Sequence, residues 1–501
     1  MSHSDQNESS ASSKPLTRLI QWFDTRLGLS HSLFRPIPQY AINPFYWLGA
    51  LAVTAFVIQG VTGVIMMLYY VPSPSQAYTS TQYIFNSIPY GRFLETVHLY
   101  TAYAMVMLSF MHLMRGYFVS VQKKPRELMW VVGMLMGFVT LGFGFTGYLL
   151  PWTVVSKSAT DVGIGMINAL PAGLSSFLSF LIVGAGGDST TLLRFYDLHI
   201  ILLPAVLLVL LAAKMYMLET HGISDPIRVT SERKRRLIPV FPDATVYVLE
   251  LASLFGAGML LISILFPLSL PPQFTPQLAA TYTPQPDWYF LWIYQIIKIS
   301  AFETAGLPVA LSAVTVILIL LVILPFIDRS EKKGFMGRPI YVSLGLVFVG
   351  ELVALTYWGL VTPGQIIPDE QAALVLGGIA IAIVGGTFLL HDLLYRKAKT
   401  KLPLGNPSAS LRSAQAWTGV FFVVLVGIGA MMIGASLNAT VGLVIGGVTL
   451  AALQELLLSF LGLGVVVFSA IFLLYRLDLG TGLLRKRVRL LEIGWEKDET
   501  L

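Results

Sequence analysis

One apolar stretch of the sequence, from Arg92 to Arg115, is long enough to cross a lipid bilayer and yet carries two histidines, His98 and His112. They are fourteen residues apart. In an α-helix this spacing separates them by about 21 Å along the axis and keeps them within about 40° of each other around it. Ionisable side chains at membrane depth are costly and are therefore functional candidates. Two imidazoles on one face of a helix predict two metal centres, one near each membrane surface.

The composition is that of an integral membrane protein, because 55% of the 501 residues are hydrophobic and only 12% are charged. The chain has no cysteine, which excludes disulfides, thiolate metal sites, iron–sulfur clusters and covalently attached haem on this chain. Residues 1–13 are polar, and no basic segment followed by an apolar core opens the sequence, so we expect no cleaved signal peptide. We attribute the net charge of +6 to basic loops rather than to nucleic-acid binding.

Ten apolar segments approach the roughly 20 residues that a membrane span requires. They cover residues 44–70, 92–118, 127–150, 192–218, 244–267, 308–327, 340–361, 371–392, 415–437 and 441–475. Ahead of them, residues 15–35 have apolar side chains at helical spacing, which predicts an amphipathic helix in the membrane interface.

The distribution of basic residues predicts the orientation of these spans. With ten crossings and both termini in the cytoplasm, nearly all of the 33 lysines and arginines lie on the cytoplasmic side. The outer side holds only Arg92, Lys157, Arg194 and Lys298. This asymmetry predicts a multi-pass protein of the plasma membrane in that orientation.

The predicted fold is therefore an all-α membrane protein with a four-helix bundle followed by further transmembrane helices. We divide it into a cytoplasmic tail and interfacial helix (1–43), the bundle (44–219), a cytoplasmic linker (220–243), a second helical region (244–395), and an extra transmembrane pair with a basic cytoplasmic tail (396–501). Two long outer loops join these helices, and loops of such length are usually functional. They cover residues 151–191 and 268–307.

The fourth apolar segment carries a second candidate pair of ligands. His199 lies near its outer end, as His98 does on the antiparallel second segment, so the two could bind one haem iron from opposite sides. Fifteen residues further on, at the depth of His112, lies Lys214. A single membrane histidine often makes only a contact between helices. Three at matched depth on neighbouring helices favour a metal site.

Several stretches of the chain resemble cytochrome b of the Rieske/cytochrome b complexes. They are QKKPRELMWVVGMLMGFVTLGFGFTGYLLPW, LLRFYDLH, the GISDP after the fourth segment, and PDWYFLWIYQIIK at 286–298. The front half is most similar to the split form of photosynthetic complexes, here fused to the rear half. The resemblance runs from about residue 20 to residue 340 and leaves the last two apolar segments uncovered.

The resemblance implies a bundle that binds two haems non-covalently, of b-type or a modified a-type. The outer haem would use His98 and His199. The inner haem would use His112 and the residue at Lys214, where the family has histidine. A neutral amine can ligate iron, and burial favours the neutral form. The alternatives are a five-coordinate haem whose propionate pairs with Lys214, and loss of the inner haem. His221 lies too far along the axis to take the place of Lys214.

A second departure from the family concerns charge. The family usually has an arginine three residues before the first histidine, where this chain has Glu95. Arg92, one turn earlier, is a candidate partner of a haem propionate, and Arg115 and Arg194 match basic positions of the family near the two haems. The alternative for each arginine is interfacial snorkelling. Close approach of helices or of a flat macrocycle is expected at four glycines: Gly49, Gly63, Gly142 and Gly144.

The same resemblance implies a quinol site in the PDWY segment. Asp287 would accept a proton from quinol, with Tyr289 as its hydrogen-bonding neighbour. The family more often has glutamate there, so a water could bridge the shorter aspartate to quinol, and helix capping is a further alternative for Asp287. Thr153–Leu170 predicts a surface helix that walls this pocket. Together with the 271–290 loop, it would dock an iron–sulfur head domain.

The sequence therefore predicts a di-haem cytochrome b subunit of a respiratory quinol-oxidising complex, coupled to proton translocation. Its expected partners are a Rieske iron–sulfur protein, other subunits of a bc-type complex or quinol oxidase supercomplex, membrane lipid and a second copy of the chain. An inner quinone site is expected near His112, the first apolar segment and Asp225. We expect an archaeal or deep-branching bacterial source.

Two other functions are consistent with parts of the sequence. The first is a haem-bearing membrane anchor of another quinone-linked oxidoreductase, which would not need the PDWY pocket. The second is a secondary transporter, which requires repeated halves around a midplane site that the sequence does not show.

Overall fold

The computed structural model describes residues 36–170, 172–184, 187–227 and 236–400. Within these ranges, eight helices are long and apolar enough to cross a membrane. We number them α1 (Leu48–Met67), α2 (Gly91–Val119), α3 (Glu127–Tyr148), α4 (Asp188–His221), α5 (Thr245–Leu265), α6 (Leu307–Ile327), α7 (Pro339–Val361) and α8 (Asp369–Leu394). They confirm the first eight predicted spans. The interfacial helix at 15–35, the last two spans and the basic tail lie outside the described residues.

Shorter elements connect these helices. Short α-helices cover Ala77–Ser87, Val154–Asn168, Ala172–Leu178, Pro276–Thr281, Leu291–Ile297, Ser300–Ala305 and Gly334–Gly337, and 3₁₀ helices cover Gln39–Ala41, Pro44–Tyr46 and Trp288–Phe290. Strands β1 (Pro36–Pro38) and β2 (Leu237–Pro239) pair antiparallel, with Ile37 opposite Ile238. This pair joins the region before α1 to the linker before α5.

The first four long helices form a bundle, in which α1 packs along α2, α2 against α3, and α3 against α4. Helix α2 is the most enclosed of the eight, since half of its membrane window is buried. It also has the lowest mean hydropathy, 1.3. Its polar side chains are thus covered by neighbouring helices rather than by lipid.

Helix α4 contains a π-helical turn at Leu198–Leu202, just before Pro204. Proline lacks the N–H that would bond to the carbonyl of Ile200, and in a regular α-helix its ring would clash with that carbonyl. The wider turn relieves the clash and accommodates one extra residue. It therefore accounts for a spacing of fifteen residues from His199 to Lys214, one more than the spacing of the two histidines of α2.

The rear helices pack around the segment that begins with Trp288–Phe290 and continues as Leu291–Ile297. Helix α7 lies against this segment and against α8. Several hydrogen bonds join the rear half to the bundle. Among them, Trp130 Nε1 donates to the carbonyl of Leu321 at 2.8 Å, and the Tyr100 hydroxyl donates to the carbonyl of Phe266 at 2.6 Å.

A buried ion cluster also links the two halves, at the end of the bundle that carries His112. Lys123 Nζ lies 2.9 Å from Asp328 Oδ1, and Arg338 pairs with the other oxygen of the same carboxylate. Arg338 also donates to the Ser120 hydroxyl. All three charged side chains are at most 8% exposed. The carboxylate of Asp328 thus balances two buried cations.

Replacing Asp328 with alanine leaves Lys123 and Arg338 buried without their shared anion. We expect Asp328→Ala to lower the free energy of unfolding by about 3–5 kcal/mol, the usual cost of breaking a buried ion pair. Thermal unfolding of the detergent-solubilised protein measures this loss. Glu331→Ala, which removes an exposed acid from the same loop, should unfold at the wild-type temperature. Equal unfolding temperatures for the two variants would contradict the interpretation.

Candidate functional site

The outer end of the bundle, which we define as the end that carries His98, brings two histidines together. The ring centroids of His98 on α2 and His199 on α4 are 6.3 Å apart, and the ring planes are inclined by 59°. A metal ion bound by two imidazoles in line, with metal–nitrogen distances of about 2 Å, requires a ring separation of about this size. The two side chains are thus placed to bind one metal ion from opposite sides.

Two threonines determine which nitrogen of each outer histidine is free to bind a metal. Thr62 Oγ1 donates to the carbonyl of Ile58 at 2.7 Å and lies 2.8 Å from His98 Nδ1. Thr146 Oγ1 donates to a backbone carbonyl of α3 at 2.8 Å and lies 3.1 Å from His199 Nδ1. Since each hydroxyl hydrogen is already used, each hydroxyl accepts from Nδ1–H. This leaves the Nε2 lone pair of both rings for a metal, a typical arrangement around metal-binding histidines.

Each candidate ligand faces a glycine on the neighbouring helix. A Cβ atom on Gly63 would lie 3.3 Å from His98 Cε1, and one on Gly147 would lie 2.5 Å from His199 Cε1. At the inner end, a Cβ on Gly49 would lie 3.2 Å from His112 Cε1, and one on Gly133 would lie 2.8 Å from Lys214 Nζ. Larger residues at these positions would press on the ligands, so the glycines keep four ligand positions open.

The four predicted glycines all lie at close contacts with other elements, but their partners differ. Gly49 and Gly63 face ligands, but Gly142 faces the side chain of Leu203, and Gly144 faces the Tyr289 hydroxyl. For these two, the close approach is therefore to a leucine and a tyrosine side chain rather than to a macrocycle. Gly133 and Gly147 were not among the predicted residues.

A signal for both missing glycines is present in the sequence. Gly133 and Gly147 are fourteen residues apart, as are Gly49 and Gly63, and this matches the spacing of the histidines on α2. A search of the first and third spans for paired glycines at the ligand spacing would have found them.

The inner end of the bundle has the same framework but different partners. At the outer end, a threonine precedes each glycine that faces a candidate ligand. At the inner end, the residues before Gly49 and Gly133 are instead Leu48 and Val132. His112 Nδ1 is buried and has no hydrogen-bond partner among the described residues. Lys214 lies close enough to His112 for an electrostatic interaction. The inner donor set is thus one imidazole and one amine, and both are nitrogen donors that a haem iron can accept.

The three predicted propionate partners lie in different surroundings. The Arg115 guanidinium lies 4.0 Å from the centroid of the Tyr46 ring, at the inner end. Arg194 lies over the ring of Phe180 at 5.7 Å, near the outer end. Arg92 is exposed, and its Nε donates to a loop carbonyl after α5, that of Leu268, at 2.6 Å. Arg92 is thus committed in part to the loop that follows α5.

The PDWY segment places its carboxylate in a cluster of tyrosines. Asp287 is 7% exposed. Its Oδ1 accepts a hydrogen bond from Tyr103 at 3.0 Å, and its Oδ2 accepts one from Tyr289 at 3.1 Å. Asp287 occupies the N-cap position of Trp288–Phe290, but its side chain makes no capping hydrogen bond. Burial raises the pKa of Asp287 to about 6, although both hydrogen bonds act to lower it.

The two long outer loops meet beside this cluster. A helix is present at the predicted place, as Val154–Asn168, and the Thr153 side chain caps it by accepting from the backbone N–H of Ser156. Its first half, Val154–Thr160, is buried, so only its second half lies toward the surface as predicted. The backbone N–H of Val154 donates to the carbonyl of Pro272 at 3.0 Å, and Thr153 forms a β-bridge with Gln273. This pairing holds the start of the helix and the 271–290 loop together.

At the inner end, a tyrosine reaches the carboxylate that the sequence analysis placed near an inner quinone site. The Tyr40 hydroxyl donates to Asp225 Oδ1 at 2.8 Å, and the Tyr40 ring lies 5.8 Å from that of Tyr46. Burial, together with Asp225, raises the pKa of Tyr40 well above its usual value, so this phenol remains a hydrogen-bond donor. Tyr40 was not among the predicted site residues.

Comparisons with known proteins show the family of the chain. The family profile described as "Cytochrome b/b6/petB" matches residues 35–222, and the profile described as "Cytochrome b(C-terminal)/b6/petD" matches residues 277–383. The chain is similar to the "Hyperthermophilic respiratory Complex III" structure, with a TM-score of 0.59 and 26% sequence identity, over 74% of this chain and 97% of that chain.

Similar sequences include both fused and b6-type proteins. A "Cytochrome bc complex cytochrome b subunit" of Chlorobaculum thiosulfatiphilum is 32% identical over 67% of this chain and 79% of its own length. "Cytochrome b" of Sulfolobus acidocaldarius is 30% identical over 75% and 71%, and "Cytochrome b6" of Picosynechococcus sp. is 36% identical over 42% and 96%. The chain therefore belongs to the cytochrome b/b6 family of haem-binding membrane proteins, as a fused member with a b6-like front part and a petD-like rear part.

Proposed function

We propose that this chain is the cytochrome b subunit of a bc-type respiratory complex and that it holds two haems within the bundle of α1 to α4. The observation that carries the proposal is the repeated arrangement of ligand and glycine at two depths of the bundle. Supporting it, one relative is described as a subunit of a cytochrome bc complex and the similar structure as a respiratory Complex III. The interruption between the two family matches, at residues 223–276, supports the division into a bundle, a linker and a second helical region.

In this proposal the outer haem is held by His98 and His199, and the inner haem by His112 and Lys214. Haem held between two nitrogen ligands takes up and releases one electron at a time without binding substrate. Thr62 and Thr146 orient the outer imidazoles. Arg115 and Arg194 lie near the two ends of the bundle and supply positive charge for the propionates.

The quinol site of the proposal lies at Asp287. Its buried carboxylate accepts a proton from quinol at the outer surface, and Tyr289 holds the carboxylate in place. The paired outer loops dock a Rieske iron–sulfur partner, which receives one electron. The two ligand pairs would hold the haems that carry the second electron inward. Protons leave on the outer side, in the orientation that the basic loops predict. A simple haem-bearing anchor has no use for a buried carboxylate of this kind, which argues against that alternative.

The haem content of the purified protein tests the bundle assignment. We expect two haems per chain in a pyridine haemochrome assay. Lys214→Ala should reduce the number to one, because the inner iron loses a ligand. His221→Ala, which changes the last residue of α4, seven positions after Lys214, should retain both. A wild-type chain with one haem, or a Lys214→Ala variant with two haems and an unchanged spectrum, would contradict ligation by the lysine.

The pH dependence of quinol oxidation tests the role of Asp287. The base acts as the carboxylate, and the pKa of Asp287 is raised to about 6 by burial. The rate should therefore rise with pH through about 6 and fall at lower pH, where the carboxyl group is protonated. Asp287→Asn should abolish this rise of the rate with pH, the acid limb of the pH profile, and lower the rate by about 10²-fold or more. Glu303→Gln, which changes an exposed acid of the same loop, should keep the wild-type profile.

A further inference from the structure

The hydroxyl group of Tyr103, on helix α2, donates a hydrogen bond to the carboxylate of Asp287, the proposed base. We propose that Tyr103 is a positioning residue for quinol oxidation, whose hydroxyl holds the Asp287 carboxylate and ties the PDWY segment to α2. This inference rests on the proposed function and deepens it, since the sequence analysis gave Tyr103 no role.

The position of Tyr103 on α2 explains how it reaches the rear half. It lies five residues after His98, which in an α-helix turns its side chain by about 140° from that of the histidine. His98 points into the bundle, and Tyr103 points toward the PDWY segment. The Tyr103 ring lies edge-on to Trp288, with centroids 6.4 Å apart, and 6.2 Å from the ring of Tyr289. Tyr103 is 6% exposed, so this contact is buried.

The two tyrosines that bind Asp287 hold it in different ways. Tyr289 belongs to the same short segment as Asp287, and its hydroxyl is packed against Gly144 of α3. Tyr103 is 184 residues from Asp287 in sequence and donates to it from another helix. Of the two, only Tyr103 fixes the carboxylate relative to the helix that carries His98. Because an aspartate side chain is shorter than a glutamate side chain, the Asp287 carboxylate can form hydrogen bonds only with donors on elements that lie close to it.

Apart from Tyr289, the other titratable groups that the structure describes around Asp287 form no hydrogen bond or ion pair with its carboxylate that could replace the hydrogen bond from the Tyr103 hydroxyl. Tyr148 at the end of α3 and Tyr282 in the loop before the PDWY segment lie within electrostatic range of the carboxylate. Among the described residues, no basic side chain forms an ion pair with Asp287. The ionised carboxylate is therefore stabilised by the hydroxyls of Tyr103 and Tyr289. Loss of one donor favours the protonated acid and raises the pKa of Asp287 further.

Tyr103→Phe in the intact complex, assayed in its membrane for quinol oxidation between pH 5 and pH 9, tests the proposal. This change removes one hydroxyl and keeps the ring. We expect the acid limb to move up by about one pH unit, because a hydrogen bond to a charged group is lost. At pH values below the wild-type limb the rate should fall about tenfold relative to wild type, with the rate at high pH largely retained.

Tyr100→Phe is the matched control. Tyr100 is also buried on α2, but its hydroxyl donates to the carbonyl of Phe266 and makes no hydrogen bond to Asp287. It should leave the acid limb in place. Combining Tyr103→Phe with Asp287→Asn should add no further change to the profile of Asp287→Asn. The infrared carboxyl band of Asp287, identified by its loss in Asp287→Asn, gives the same pKa comparison without turnover.

The outcomes separate this proposal from the proposed function. An unshifted limb and an unshifted carboxyl band in Tyr103→Phe, with the limb abolished in Asp287→Asn, would overturn the role of Tyr103 and leave Asp287 as the base. An equal shift in Tyr100→Phe would also overturn it, since the effect would then arise from packing. A wild-type limb in Asp287→Asn would contradict the proposed base itself.

Discussion

Polar side chains at membrane depth need partners, because the apolar layer provides no water to solvate them. The bundle of this protein is arranged around that constraint. Its four candidate ligands lie at two depths, and each faces a glycine of a neighbouring helix where a larger residue would press on it. The π-helical turn of α4 is part of the same arrangement, because it brings a fifteen-residue spacing into step with the fourteen residues of α2. The most buried helix is accordingly the one with the lowest mean hydropathy.

The two ends of the bundle satisfy the constraint differently. At the outer end, Thr62 and Thr146 accept from the Nδ1–H groups of the histidines, so the protein itself sets the orientation of both rings. At the inner end, His112 Nδ1 has no partner among the described residues, and its counterpart is the flexible side chain of Lys214. In the proposed di-haem subunit, the orientation of the inner ligands therefore depends more on the bound group. The inner haem is then the one whose properties respond most to a change of ligand.

The parts of this structure that could be predicted from sequence follow from periodicity along single helices. Hydropathy alone predicted the eight spans of the described chain, and helical spacing pointed to His98, His112 and His199 as candidate ligands. The resemblance to cytochrome b added Lys214. Gly133 and Gly147 were missed, although the ligand spacing would have revealed them. The contact between Tyr103 and Asp287 could not be foreseen, because it joins residues 184 positions apart, and no local pattern specifies which face of α2 meets the PDWY segment.

The central claim is that two ligand pairs at different depths hold two separate haems, with Lys214 in the inner pair only. A potentiometric titration of the haem absorption bands, comparing the wild-type protein with Lys214→His, tests it directly. We expect the outer haem to keep its spectrum and midpoint potential, and those of the inner haem to change. A change in both haems, or in neither, would contradict the placement of Lys214.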